Sequence, residues 1–90
     1  MLEARYTNKF KKDYKFIKKR GYNIEKLKYV VTLLCCEEPL QKKYKDHQLG
    51  RDYIGYIECH IEPDWLLVYK IENEELILIL SRTGTHSDLF

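Results

Sequence analysis

The sequence predicts an α+β fold in which two N-terminal helices pack on an antiparallel-rich sheet, in the order β-α-α-β-β-β. Three observations carry this. Apolar residues recur every three or four positions from residue 10 to residue 34, they alternate or run together after residue 56, and Gly21 and Pro63-Asp64 fall where such elements must turn. A chain of 90 residues buries only roughly 60–65% of its unfolded surface, so residues 1–90 are read as one domain with one core.

Leu2 to Tyr6 is short and mixed in polarity, which suits an edge strand. Thr7 or Asn8 then caps a first helix, where Phe10, Tyr14 and Ile17 form a narrow apolar stripe. The other faces carry Lys9, Lys11, Lys12, Lys15, Lys18, Lys19 and Arg20 against Asp13 alone. The last three favour the negative end of the helix dipole before Gly21 stops the helix, whereas the earlier lysines are free for phosphate. Asn23 caps a second helix with Ile24, Leu27, Val30, Val31 and Leu34 on its inner face, ended by Glu37-Glu38-Pro39. The linker is so short that the two helices form a hairpin. Residues 39–52 are irregular, with basic and aromatic residues interleaved through Lys42-Lys43-Tyr44-Lys45-Asp46-His47.

Residues 56–69 read as a β-hairpin turning at Pro63-Asp64. Period-two alternation puts Ile57, Cys59 and Ile61 on one face and Tyr56, Glu58 and His60 on the other, with Asp64 and Trp65 presented by the turn. Glu72-Asn73-Glu74 is a second turn, and Glu75-Leu76-Ile77-Leu78-Ile79-Leu80 is an aliphatic run expected to form a central strand covered on both faces. The polar tail, Ser81 to Phe90, places Arg82 directly at the end of that strand.

Composition narrows the function. The chain is 44% hydrophobic and 33% charged, and no apolar run approaches the ~18–20 residues of a membrane span. Nothing at the start reads as a secretory signal, so a cytoplasmic protein is expected. Three cysteines, two of them adjacent, suit neither a disulfide framework nor a thiolate zinc site, and His47, His60 and His86 lack the spacing of a zinc motif. No metal or cofactor is expected. The net charge of +2 hides an asymmetry: residues 1–51 hold 14 Lys and Arg against 6 Asp and Glu, a balance of +8, while residues 52–90 hold 2 against 8, a balance of −6. A positive surface of this kind fits a polyanion or an acidic protein partner.

Three separated segments complete a pattern: Tyr44-Lys45-Asp46-His47, then Gly55-Tyr56 with Cys59-His60-Ile61-Glu62-Pro63-Asp64-Trp65-Leu66-Leu67-Val68-Tyr69-Lys70, then Arg82-Thr83-Gly84-Thr85-His86 with Leu89-Phe90. Together they resemble the YafQ branch of the RelE/ParE toxin superfamily. The resemblance implies a RelE-like fold and a bacterial mRNA interferase that cuts messenger RNA in the ribosomal A site and is silenced by a cognate antitoxin. It places the active site on His47, His60, Asp64, Trp65, Arg82, His86 and Phe90. Tyr53 stands where the family often has tryptophan, Ile57 where arginine is frequent, and Gln48 where proline is common.

Those residue types suit metal-free RNA cleavage, which takes a proton from the ribose 2′-hydroxyl and gives one to the departing 5′-oxygen. With a reference pKa of about 6.5, histidine supplies both protonation states near neutral pH. The assignment is His86 as general acid, His60 with Asp64 on the base side, His47 as phosphate ligand or second acid, and Arg82 against charge on the phosphoryl oxygens. Trp65, Tyr56 and Phe90 are candidates to stack on bases, with Lys45 as a substrate-binding cation. A gyrase-inhibiting relative and a non-catalytic basic RNA-binding domain are the alternative readings; the former would act by binding, and the latter would bind RNA salt-dependently without cutting it.

Overall fold

A computed structural model describes residues 1–90. The elements are β1 (Glu3–Tyr6), α1 (Asn8–Lys19), α2 (Ile24–Cys35), β2 (His47–Gln48), β3 (Ile57–Glu62), β4 (Trp65–Glu72), β5 (Ile77–Gly84) and α3 (His86–Leu89), with 3₁₀ turns at Lys42–Tyr44 and Arg51–Tyr53. The α+β class and the helix pair match the expectation. The sheet runs β1-β5-β4-β3-β2, with β1 parallel to β5 and every other pairing antiparallel. The two-residue β2 and the short α3 were not legible in the periodicity, because neither is long enough to show one.

Local chemistry sets the helix ends. Thr7 Oγ1 accepts the Phe10 backbone N–H at 3.1 Å and donates to the Ser81 carbonyl at 2.8 Å, so one hydroxyl starts α1 and fastens it to β5. Asn23 Oδ1 accepts the Glu25 N–H at the start of α2, and Gly21 turns the chain between the helices at φ +83°.

Phe10 and Ile17 of α1 and Leu27, Val30 and Leu34 of α2 join Cys59, Ile61, Trp65, Leu67, Tyr69, Leu78 and Leu80 in the main core, with Ile57 packed against it. The hairpin's apolar set therefore faces the helices, as its alternation predicts. The opposite face is not simply polar. Leu66 and Val68 pack there with Leu89, flanked by Leu49, Tyr53 and Tyr56, and Glu58 is buried among them at 7% exposure.

The aliphatic run holds an interior place between β1 and β4, but the middle strand is β4, where Trp65 to Tyr69 are all buried. Glu75 and Leu76 belong to the preceding turn, Ile79 is only half-buried, and the strand continues to Gly84 through Arg82. Arg82, Thr83 and Gly84 stay in the sheet because β4 pairs with each of them, while Ser81 falls at an irregularity in that ladder and its carbonyl accepts from Thr7 instead. No helix is long and apolar enough to cross a membrane.

Candidate active site

The pairing register lays the site out across the sheet. His47 stands opposite Glu58, Glu58 opposite Val68, and Val68 opposite Arg82; one step along, His60 stands opposite Leu66 and Leu66 opposite Gly84. Directly opposed residues share a face, so His47, Glu58 and His60 lie on the face away from α1 and α2, over the floor of Leu66 and Val68. Strands are about 4.8 Å apart, which puts His60 and Gly84 roughly 10 Å from each other. Two residues after Gly84, α3 folds back, and Leu89 packs on Leu66 and Val68, bringing His86 and Phe90 to the same side. Phe90 bridges the exposed imidazole to the loop, with ring centroids 5.4 Å from His86 and 5.5 Å from Tyr53.

The two histidines at the β2–β3 edge, with ring centroids 6.4 Å apart, are held differently. His60 Nδ1 lies 3.2 Å from the Pro63 carbonyl oxygen. A carbonyl only accepts, so Nδ1 carries the hydrogen, and in the neutral ring the lone pair lies on Nε2, the arrangement of a base. His47 meets acceptors on both sides, the Lys45 carbonyl 3.0 Å from Nδ1 and Glu58 Oε2 2.9 Å from Nε2. Both contacts hold the ring in place, and Nε2 donates to Glu58 when it carries the hydrogen. His86 bonds to no side chain or carbonyl and stays free at its ring.

Arg82 is anchored from the helix layer. Its Nε donates to Asp13 Oδ2 at 2.7 Å and its Nη2 to Asp13 Oδ1 at 3.1 Å, while Asp13 Oδ2 also accepts the Thr83 N–H at 3.2 Å. These hydrogen bonds keep the guanidinium more firmly protonated than usual, against the partial burial that opposes charge, and Tyr53 and Asp88 add to the same effect. Nη1 makes no hydrogen bond within the protein. At α3, Asp88 accepts the Thr85 N–H and returns its own N–H to the Thr85 hydroxyl, and Arg20 donates to it at 3.0 Å. The Thr85 N–H bond leads in lowering the Asp88 pKa below the usual carboxylate value.

One expected role needs correction, that of Trp65 as a stacking ring. Trp65 is 1% exposed, sits edge-on to Tyr22 with centroids 5.0 Å apart, and donates its indole N–H to Thr83 Oγ1 at 2.9 Å, so its ring has no surface for a base. The hairpin begins its return strand at Trp65, and the position alternates toward the helices rather than out of the turn. Asp64 is exposed in the same turn, next to Pro63, whose carbonyl orients the His60 ring. Tyr56 is half-buried against Tyr53 and beneath Lys70, whose ammonium lies 5.6 Å from its ring centroid. Lys45 is exposed beside His47, its backbone left-handed at φ +47°.

Glu58, Asp13 and Tyr53 touch the candidate groups, although the sequence offered none of them as a site residue. Alternation gave one clue, Glu58 on the face of His60. Another was Asp13 as the lone acid among the lysines of α1. No group of three or more His, Cys, Asp or Glu side chains is arranged to hold a metal ion.

Comparison with known proteins adds kinship to this geometry. The family model described as "Bacterial toxin of type II toxin-antitoxin system, YafQ" matches residues 2–90. The mRNA interferase toxin YafQ of Escherichia coli (strain B / BL21-DE3) is 44% identical over 89 residues, covering 98% of this chain and 95% of that one. A metal-bound toxin from Helicobacter pylori superposes with a TM-score of 0.94 at 46% identity over the full length of both chains. The toxin fold of the E. coli DinJ-YafQ complex superposes with a TM-score of 0.90 at 43% identity, covering 100% and 99% of the two chains.

Proposed function

Because the chain belongs to the YafQ family of bacterial toxins of type II toxin-antitoxin systems, we propose that it is an endoribonuclease that cuts messenger RNA in the ribosomal A site. In this reading residues 1–90 act as one toxin domain in the cytoplasm, where ribosomes are.

His60 Nε2 takes the proton of a ribose 2′-hydroxyl, whose oxygen attacks the adjacent phosphorus. The bond to the 5′-oxygen of the next nucleotide breaks, that oxygen takes a proton from His86, and a 2′,3′-cyclic phosphate is left. His47, held by Glu58, and the Arg82 guanidinium counter the charge that builds on the phosphoryl oxygens. The observation that carries this reading is the difference in ring hydrogen bonding: one imidazole keeps a free lone pair, its neighbour is held as a donor, and a third ring is delivered free by α3 across the same sheet face.

An antitoxin is the expected protein partner, as E. coli YafQ is found with DinJ. A groove of about 750 Å³ between α1 and α2 combines Phe10, Tyr14, Leu27 and Val31 with Lys11 and Lys15, a surface suited to an amphipathic acidic segment.

Primer extension on messenger from cells expressing the wild type or His86→Ala tests the reading. The wild type cuts translated messenger at defined positions, and the variant loses about 10²- to 10⁴-fold in rate. No cutting by the wild type overturns the proposal, and equal cutting removes His86 from the chemistry.

A further inference from the structure

A second groove opens on the far side of His60. β2 covers β3 only at Ile57 and Glu58, so the edge of β3 from Cys59 onward is unpaired, and the space between it, α2 and the 3₁₀ turn at Lys42–Tyr44 forms a cleft of about 780 Å³. That volume falls within the ~300–1,000 Å³ typical of small-ligand sites. Lys26, Tyr29, Lys43, Lys45, His60 and Glu62 line it, and none of the active-site reading accounts for Lys26, Tyr29 or Lys43.

Its charge is not neutral. Glu62 lies 3.5 Å from Lys26 and Glu25, also in the wall, 3.6 Å from Lys28, so both carboxylates are already paired. Lys43 and Lys45 have no carboxylate partner, and Lys43 rests over the Tyr44 ring at 5.2 Å. Tyr29 is 56% exposed on the outer side of α2, whose Leu27 and Val30 are buried. A ring open on one side and two unpaired ammoniums along a groove are the components of a single-strand binding platform.

We infer that this cleft is the subsite for the nucleotide on the 5′ side of the cut, its base stacked on Tyr29 and its phosphate drawn to Lys43. The inference rests on the endoribonuclease reading, and the direction follows from His60. His60 lines the cleft and also serves as base on the 2′-hydroxyl; the ribose bearing that hydroxyl lies 5′ of the scissile phosphate, so the strand enters the cleft toward its 5′ end.

Binding of RNA oligonucleotides with a 2′-deoxy residue at the cut position tests this without cleavage. Two lengths are compared, one reaching the cleft and one truncated on its 5′ side. The wild type binds the longer strand about tenfold more tightly. Tyr29→Ala and Lys43→Gln each lose most of that preference while holding the truncated strand as the wild type does, Tyr29→Phe retains it, and Lys43→Gln lowers the salt slope for the longer strand by about 0.7. Both residues are exposed, so the variants fold. Equal preference in all four proteins overturns the subsite, as does failure of the wild type to bind either strand. Loss of ribosome co-sedimentation with oligonucleotide binding unchanged also overturns it, because the lysines then contact ribosomal RNA. A wild type that cuts messenger while the variants bind like it sinks the subsite alone; a wild type that cuts nothing sinks the endoribonuclease reading beneath it.

Discussion

Asp13 and Arg82 are 69 residues apart, and their two hydrogen bonds place the one arginine of the candidate site. Their side chains are 14% and 20% exposed, between the buried limit, where removing a partner is severe, and the surface limit, where it is nearly free. Asp13→Ala is therefore expected to cost about 2 kcal/mol, the range of a hydrogen-bonded charge, read from the urea midpoint. Messenger cleavage falls further than stability explains, because the guanidinium loses the carboxylate that fixes its position. Unchanged cleavage in a folded Asp13→Ala protein would detach Arg82 from the chemistry. Residue identity alone marked Arg82 but not its anchor. The same holds for Trp65, which any sequence reading offers as a stacking ring and which the fold spends on Tyr22 and Thr83.

The tail helix is the element that carries His86 of the candidate site. α3 is only four residues long, too short to persist by its own hydrogen bonds, and it is held by the Thr85–Asp88 capping box, by Arg20 and by Leu89 on the sheet. Gly84 lets the chain fold back at φ +152°; a Cβ there would lie 3.1 Å from Asp88 Oδ2 and 3.3 Å from Asp88 Cβ. Gly84→Ala is expected to cost about 1–3 kcal/mol, to raise amide exchange at residues 86–90, and to abolish cleavage by displacing His86. Gly50→Ala is the control: a Cβ there meets nothing within 4 Å, and cleavage persists. Retained cleavage in Gly84→Ala would mean that α3 need not be docked. None of this was visible in the polar tail, since the capping box reads as turn chemistry until Leu89 has a floor to pack on.

Across the whole molecule, burial sets the alkaline limit of stability. The Cys59 thiol is 0% exposed in the main core, and burial foremost pushes its pKa up to about 12 from 9.0; Tyr69, buried beside it, is raised as well. Both groups keep their protons longer in the folded state than in the unfolded one. Their contribution is thus complete below about pH 9 and declines as pH rises toward 12, with a slope of at most about 1.4 kcal/mol per pH unit for each group. Urea midpoints at pH 8 and pH 10 should drop less in Cys59→Ala than in the wild type; parallel drops would show that this thiol carries none of the effect.

The sequence by itself determined the helix pair, the faces of the hairpin, the segregation of charge and the family motifs. The helix pair and the hairpin faces depend on residues within a turn or two of one another, where spacing translates directly into a shared face, and the charge balance and the motifs are read from residue identity along the chain. Tertiary structure alone decided the parallel docking of β1 on β5, the burial of Glu58 and Trp65, the pairing of Asp13 with Arg82 and the delivery of His86 by α3. Those depend on which distant surface arrives opposite a side chain, and no local period records that.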